Sequence, residues 1–202
     1  MQKPWDTKKI RRQLSIREPK AKFLICTEGQ TEKLYFTDFR LTSARITVLA
    51  GDALSLVKEA VALKERMAKA GDKFHQYWVV FDKDENSTQR INQAVKLAAD
   101  NGFNWAFSNP CFEIWYLFHF IKARNSTTAR ELKNKHLPQA NRIPKYHETI
   151  PCVYALLKNK QPNAINHAKI IIEETENWRK KMASANPSTN VHELVEQMNK
   201  YL

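Results

Sequence analysis

Gln76-Tyr77-Trp78-Val79-Val80-Phe81-Asp82-Lys83-Asp84 is the stretch on which the fold turns. Five apolar or aromatic residues, Tyr77 to Phe81, run without interruption into two acids spaced by one residue. A run this short and this apolar suits a strand buried on both faces, as in a parallel sheet. The period-two geometry of a strand sends Asp82 and Asp84 to the same side as the chain leaves the sheet. Like charges so placed repel unless something neutralises them, and a hard divalent cation does this well. The stretch therefore predicts a carboxylate metal site at the carboxyl end of a central parallel strand, the edge where open α/β sheets place their ligands.

The same pattern repeats outward from it. Lys22 to Thr27 reads as a first strand, and it ends in Glu28-Gly29-Gln30-Thr31-Glu32. Gly29 permits a tight turn there, and Thr31 is a candidate cap for a helix that buries Leu34, Tyr35 and Phe39. Ile46 to Leu49 reads as a second strand, followed by a helix that Gly71 stops. Asn86-Ser87 can cap a third helix carrying Ile91, Val95 and Leu97, and Phe103 to Phe107 reads as a fourth strand. Strands alternating with helices predict right-handed βαβ units and a Rossmann-like parallel sheet of about four strands.

After Ser108-Asn109-Pro110, residues 111–120 read as a helix that is apolar nearly all round, which makes Glu113 conspicuous. An acid in such a segment is costly unless it meets a cation or accepts hydrogen bonds at a helix N-terminus. Beyond residue 121 only helix and loop are expected, ending in an amphipathic helix with Val191, Leu194, Val195 and Met198, capped by Thr189 or Asn190. The organisation expected is a basic arm at 1–20, an α/β core at 21–122 and a helical extension at 123–202 packed on the core.

Among 202 residues, 33 Lys and Arg face 21 Asp and Glu, a formal net charge of +12. Such an excess favours a polyanionic partner, nucleic acid before anionic membrane. Cys26, Cys111 and Cys152 lack CxxC spacing and read as reduced core thiols, not as a zinc site. No apolar run approaches the roughly 18 residues of a membrane span, and no signal-peptide pattern opens the chain, so a soluble cytoplasmic protein is expected.

Glu28 with Glu32, Asp82 with Asp84, and Glu113 each follow a strand or lie close to the end of one. If the strands are parallel, all gather along one rim, and two or three carboxylates suffice for Mg²⁺, with Mn²⁺ as a substitute. Such an ion polarises a phosphoryl oxygen and lowers the pKa of a bound water, which is the chemistry of phosphodiester cleavage. Against this stands the ordinary use of Asp in turns and caps. Lys83 alternates to the other side and reads as structural or phosphate-facing. Arg142, Lys145 and Lys160 are candidate phosphate contacts, while solvation is the default for lysines. The histidines have no metal-ligand spacing, although His147 or His192 could approach the site in three dimensions. The tryptophans at 78, 105, 115 and 178 read as core or half-buried residues.

With these residues in hand, the chain resembles the RloB family, whose members carry a Toprim-like domain. The likeness rests on Cys26-Thr27-Glu28-Gly29-Gln30-Thr31-Glu32 and on Val79-Val80-Phe81-Asp82-Lys83-Asp84. It continues in Ser108-Asn109-Pro110-Cys111-Phe112-Glu113-Ile114-Trp115 and in Asn186-Pro187-Ser188-Thr189. It implies a Toprim fold in which Glu28, Asp82 and Asp84 bind magnesium, with Glu32 and Glu113 available for a second ion, for general-base work or for orienting the first ligands. It also implies a setting in bacterial restriction-modification and antiphage defence, including abortive infection, and cleavage of DNA or RNA, tRNA included. The alternative is a non-catalytic adaptor that binds nucleic acid or a partner protein of a defence system. A metal-dependent nucleotide-processing enzyme is a third reading, and an oligomer is compatible with each of them.

Overall fold

Phe23–Thr27 (β1), Ala44–Val48 (β2), Gln76–Asp82 (β3) and Asn104–Asn109 (β4) pair side by side in the order β2-β1-β3-β4, every pair parallel. The computed structural model describes residues 21–139 and 142–202, and the basic arm expected at 1–20 lies outside them. Between the strands come Gln30–Thr37 (α1), Ala53–Lys69 (α2) and Thr88–Asp100 (α3). This is the α/β, Rossmann-like sheet that the strand–helix alternation predicts.

Side-chain alternation along the strands makes two cores. Phe23, Ile25, Trp78, Val80 and Ala106 join one cluster, and Leu24, Cys26, Val79, Phe81, Trp105 and Phe107 join the other. Each fully buried side chain of this size contributes about 1.5–3 kcal/mol of transfer free energy, so a sheet covered on both faces is strongly favoured. α2 and α3 cover the second face; Ser87 caps α3 as the sequence predicts, and Asp52 caps α2. Asp52 Oδ1 accepts the Ser55 N–H at 2.8 Å, and Ser87 Oγ accepts the Arg90 N–H at 3.2 Å.

The remaining elements are Glu113–Phe118 (α4), Ala129–Glu131 (α5), Val153–Leu157 (α6), Gln161–Glu174 (α7), Trp178–Lys181 (α8), Ser188–Thr189 (β5) and Val191–Asn199 (α9). α4, α6, α7 and α9 supply the first core with Trp115, Leu157, Ala164 and Leu194, whereas Trp178 of α8 enters the second. The C-terminal extension thus does more than pack on the core. It adds β5, antiparallel to β4, which the sequence reading lacks because two residues carry no period.

Three local expectations need correction. The N-cap of α1 is Gly29, not Thr31, because the turn closes two residues earlier. Thr31 lies inside the first turn, and its hydroxyl donates to the Glu148 carbonyl at 3.2 Å. Phe36, not Leu34, joins Tyr35 and Phe39 in the core. Cys26 and Cys111 are buried thiols, but Cys152 is exposed, on a loop turn of positive φ ahead of α6. Trp78, Trp105, Trp115 and Trp178 are buried as expected. Among the described residues no helix is long and apolar enough to cross a membrane.

Candidate functional site

Because β1, β3 and β4 run in one direction, their carboxyl ends open on one edge of the sheet. Glu28 follows β1, Glu32 lies in the first turn of α1, Asp82 ends β3 with Asp84 two residues on, and Glu113 opens α4 after β4. All five line one cleft of 330 Å³.

Backbone and side-chain bonds fix this edge. The Glu28 N–H continues the ladder to the Val80 carbonyl at 3.1 Å, and Glu28 Oε2 turns back to accept the Asp82 N–H at 3.2 Å. Asp82 Oδ2 accepts the Phe112 N–H at 2.9 Å, which ties the end of β3 to the start of α4. Lys83 is structural: its ammonium donates to the Asn86 carbonyl at 2.5 Å. Asn86 in turn donates to the Asp82 carbonyl at 3.1 Å. Gly29 matters for a steric reason, since a Cβ there would sit 2.8 Å from Glu32 Oε2. Without it the Glu32 carboxylate folds back over the turn.

The electrostatics of this cluster are unbalanced. Burial pushes Glu32 up to about 7, and the charges of Glu113 and Glu28 push in the same direction. Burial, then Glu32, Glu113 and Glu28, hold Asp82 well above the usual carboxylate range. Burial also raises Glu28, against the bonds from the Asp82 N–H and Asn86. Among the described residues, Glu28, Glu32, Asp82 and Asp84 make no ion pair with Lys, Arg or His. Part of Asp82 reaches the cleft, but its Oδ1 is buried and has no hydrogen-bond partner. A buried carboxylate oxygen left bare costs free energy that a cation would recover.

These carboxylates do not, however, form a ready-made cage. Among the described residues no group of three His, Cys, Asp or Glu side chains is placed to hold a metal together. The expected convergence of Glu28, Asp82 and Asp84 into such a cage is therefore not met. Like charges repel, Glu28 Oε2 is engaged by the Asp82 N–H, and Asp84 is exposed at a positive φ beyond the strand end. The donor set still fits magnesium, which takes hard oxygens and commonly binds through one or two carboxylates with waters completing its shell. The bare Asp82 Oδ1 is the observation that makes the fit.

Glu113 differs from the other four. It is 2% exposed, and its Oε1 accepts the Tyr146 hydroxyl at 2.7 Å and faces Lys133 Nζ at 3.6 Å. Lys133 also reaches Glu148 Oε1 at 2.5 Å. Burial works against the charge on Lys133, but the bond to Glu148 and the charge of Glu113 outweigh it and hold its pKa above normal. Lys133, Tyr146 and Glu148 are site residues that sequence reasoning missed. They lie in the tail, where neither period nor spacing separates a site lysine from a solvated one.

The other tail candidates fall elsewhere. Arg142 donates to the His136 carbonyl at 2.9 Å, Lys145 is exposed, and Lys160 sits 5.5 Å from the Phe120 ring centre. None of the three lines the cleft, nor does His192, which is buried. His147 is exposed beside Glu148, outside the lining.

A mostly parallel α/β sheet with an acidic cleft at its carboxyl edge defines the class: a Rossmann-like protein with a candidate site on the rim where such sheets place ligands. The family model for RloB-like proteins matches residues 23–198, and the chain belongs to that family. No curated protein and no solved structure matches it.

Proposed function

We propose that this protein is a Mg²⁺-dependent nuclease that cleaves phosphodiester bonds of DNA or RNA, in the antiphage setting that the family resemblance implies. The observation that carries the reading is the bare, buried Asp82 Oδ1 in a cleft of five carboxylates, four of them without a cationic partner among the described residues. Asp82, Asp84 and Glu28 would hold the ion, which when bound would polarise a phosphoryl oxygen and acidify a water. Glu32, raised to about 7, is half-protonated near neutrality and lies in the range a general base or acid needs. Glu113 is oriented by Tyr146 and Lys133 and lines the same cleft. The adaptor reading calls for carboxylates tied up by Lys or Arg and for an exposed apolar patch. Among the described residues only Glu113 meets the first condition, and the large exposed apolar residues there, Ile121, Leu156 and Leu202, are far apart in sequence.

The test is cleavage of a panel of single- and double-stranded DNA, total RNA and tRNA with Mg²⁺, Mn²⁺ or EDTA, using wild type and Asp82→Asn/Asp84→Asn. Metal-dependent cutting that falls roughly 100-fold or more in the double variant is expected. Equal cutting by both proteins would overturn the assignment. Tight nucleic-acid binding without cutting at any metal concentration would favour the adaptor.

A further inference from the structure

We infer that Lys133 is the phosphate-binding residue of the cleft, the side chain that holds a non-bridging oxygen of the scissile phosphodiester. The inference rests on the nuclease reading and names a residue that reading does not contain. A substrate phosphate entering this cleft meets five acidic side chains, and those that are ionised repel it. Among the described residues, Lys133 is the one Lys or Arg that lines the cleft. Some cation must offset that repulsion at the substrate, and an ammonium is a compact charge suited to phosphate.

The backbone presents this lysine in an unusual way. Thr128 and Glu131 form a reciprocal capping box that starts α5, and residues Leu132–His136 then continue as a π-helical turn. The Leu137 N–H reaches the Leu132 carbonyl at 3.0 Å, five residues back, and both leucines are fully buried. Such wide turns are rare and concentrate at functional sites, where the extra residue re-aims a side chain. Here Lys133 follows the buried Leu132 directly and reaches into the cleft. The two anchors, Leu132 and Leu137, keep the turn from relaxing.

The contacts of Lys133 leave it available. Its nearest partner, Glu148, is 60% exposed, and an ion pair at that exposure is weak enough for a phosphate oxygen to displace. Glu113 stays 3.6 Å away, held by Tyr146, and steadies the ammonium without capturing it. The competing explanation is that Lys133 serves only to neutralise the buried Glu113.

The experiment compares wild type, Lys133→Met, Lys133→Arg, Glu113→Gln and Glu113→Gln/Lys133→Met on an oligonucleotide that the wild type cuts. Lys96→Met, which breaks only a surface pair with Asp100, is the control. If Lys133 binds phosphate, Lys133→Met lowers kcat roughly 100-fold and Lys133→Arg recovers part of the loss. Oligonucleotide binding in EDTA then loses about one unit of salt slope in Lys133→Met. The double variant stays far below Glu113→Gln alone. Should Lys133→Met fail to fold, Lys133→Gln takes its place in each comparison. A Lys133→Met rate within about threefold of wild type, or a double variant as fast as Glu113→Gln, overturns the inference while leaving the nuclease intact. A wild type that cuts nothing removes both.

Discussion

Asp82 has one carboxylate oxygen on the Phe112 N–H and the other buried without a partner, among acids that raise its pKa. Such a group costs stability unless a cation meets it. Asp82→Asn keeps an acceptor for Phe112 and removes the charge, so it is expected to stabilise the metal-free protein by about 1 kcal/mol. Thermal melting in EDTA checks this, and a lower Tm for the variant contradicts it. His119 gives the opposite kind of test. Burial holds its pKa at about 4, its Nδ1 donates to the Trp115 carbonyl at 2.8 Å, and Nε2 is buried without a partner. Because the folded pKa lies below the unfolded value of 6.5, the unfolded chain binds more protons between the two. The contribution of the neutral ring is complete above pH 6.5 and is lost as pH falls toward 4, roughly 3 kcal/mol in all. The raised carboxylates titrate with the opposite sign, so the measurement is a difference: relative to His119→Gln, wild-type stability in urea should decline from pH 7 to 4. Parallel pH curves would refute it. The acids at the strand ends were legible because an apolar run marks where each strand stops. Lys133 and Tyr146 were not, because their role depends on a turn that brings residues 133 and 146 against residue 113.

At the scale of elements, the edge of β4 shows what sequence periodicity cannot carry. β5 has two residues, and Asn190 prolongs it with a side chain acting as backbone. Its Oδ1 accepts the Phe107 N–H at 2.7 Å, and its Nδ2 donates to the Trp105 carbonyl at 3.1 Å. All three groups are buried, so Asn190→Ala leaves a donor and an acceptor bare and is expected to cost about 2–4 kcal/mol. Urea denaturation measures it, and a loss under about 0.5 kcal/mol would show that water or a local shift replaces the amide. Asn190 was expected only as a cap for α9, and it makes no side-chain cap bond there. The two strand residues that it bonds lie more than 80 residues away, beyond the reach of local pattern. The four parallel strands were legible for the converse reason: each is a short apolar run bounded by its own turn residues, and α3 announces its cap in Ser87.

Across the whole molecule, the proposed function would have the charge of +12 and the acidic cleft divide the labour of holding a nucleic acid. A count of lysines says that a polyanion is favoured, but not where it sits. The structure removes Arg142, Lys145 and Lys160 from the cleft lining and puts Lys133 there. Parallel topology alone gathers acids from residues 28, 32, 82, 84 and 113 at one edge, so cleft and fold are a single consequence of strand order. The central claim, that this edge is a divalent-cation site, can be tested without knowing the substrate or any trigger. The measurement is calorimetric titration of Mn²⁺ into wild type and Asp82→Asn. Saturable binding by the wild type, competed by Mg²⁺ and weakened at least roughly 10–100-fold in the variant, is expected. Equal affinity in the two proteins, or no saturable binding to the wild type, would contradict the claim.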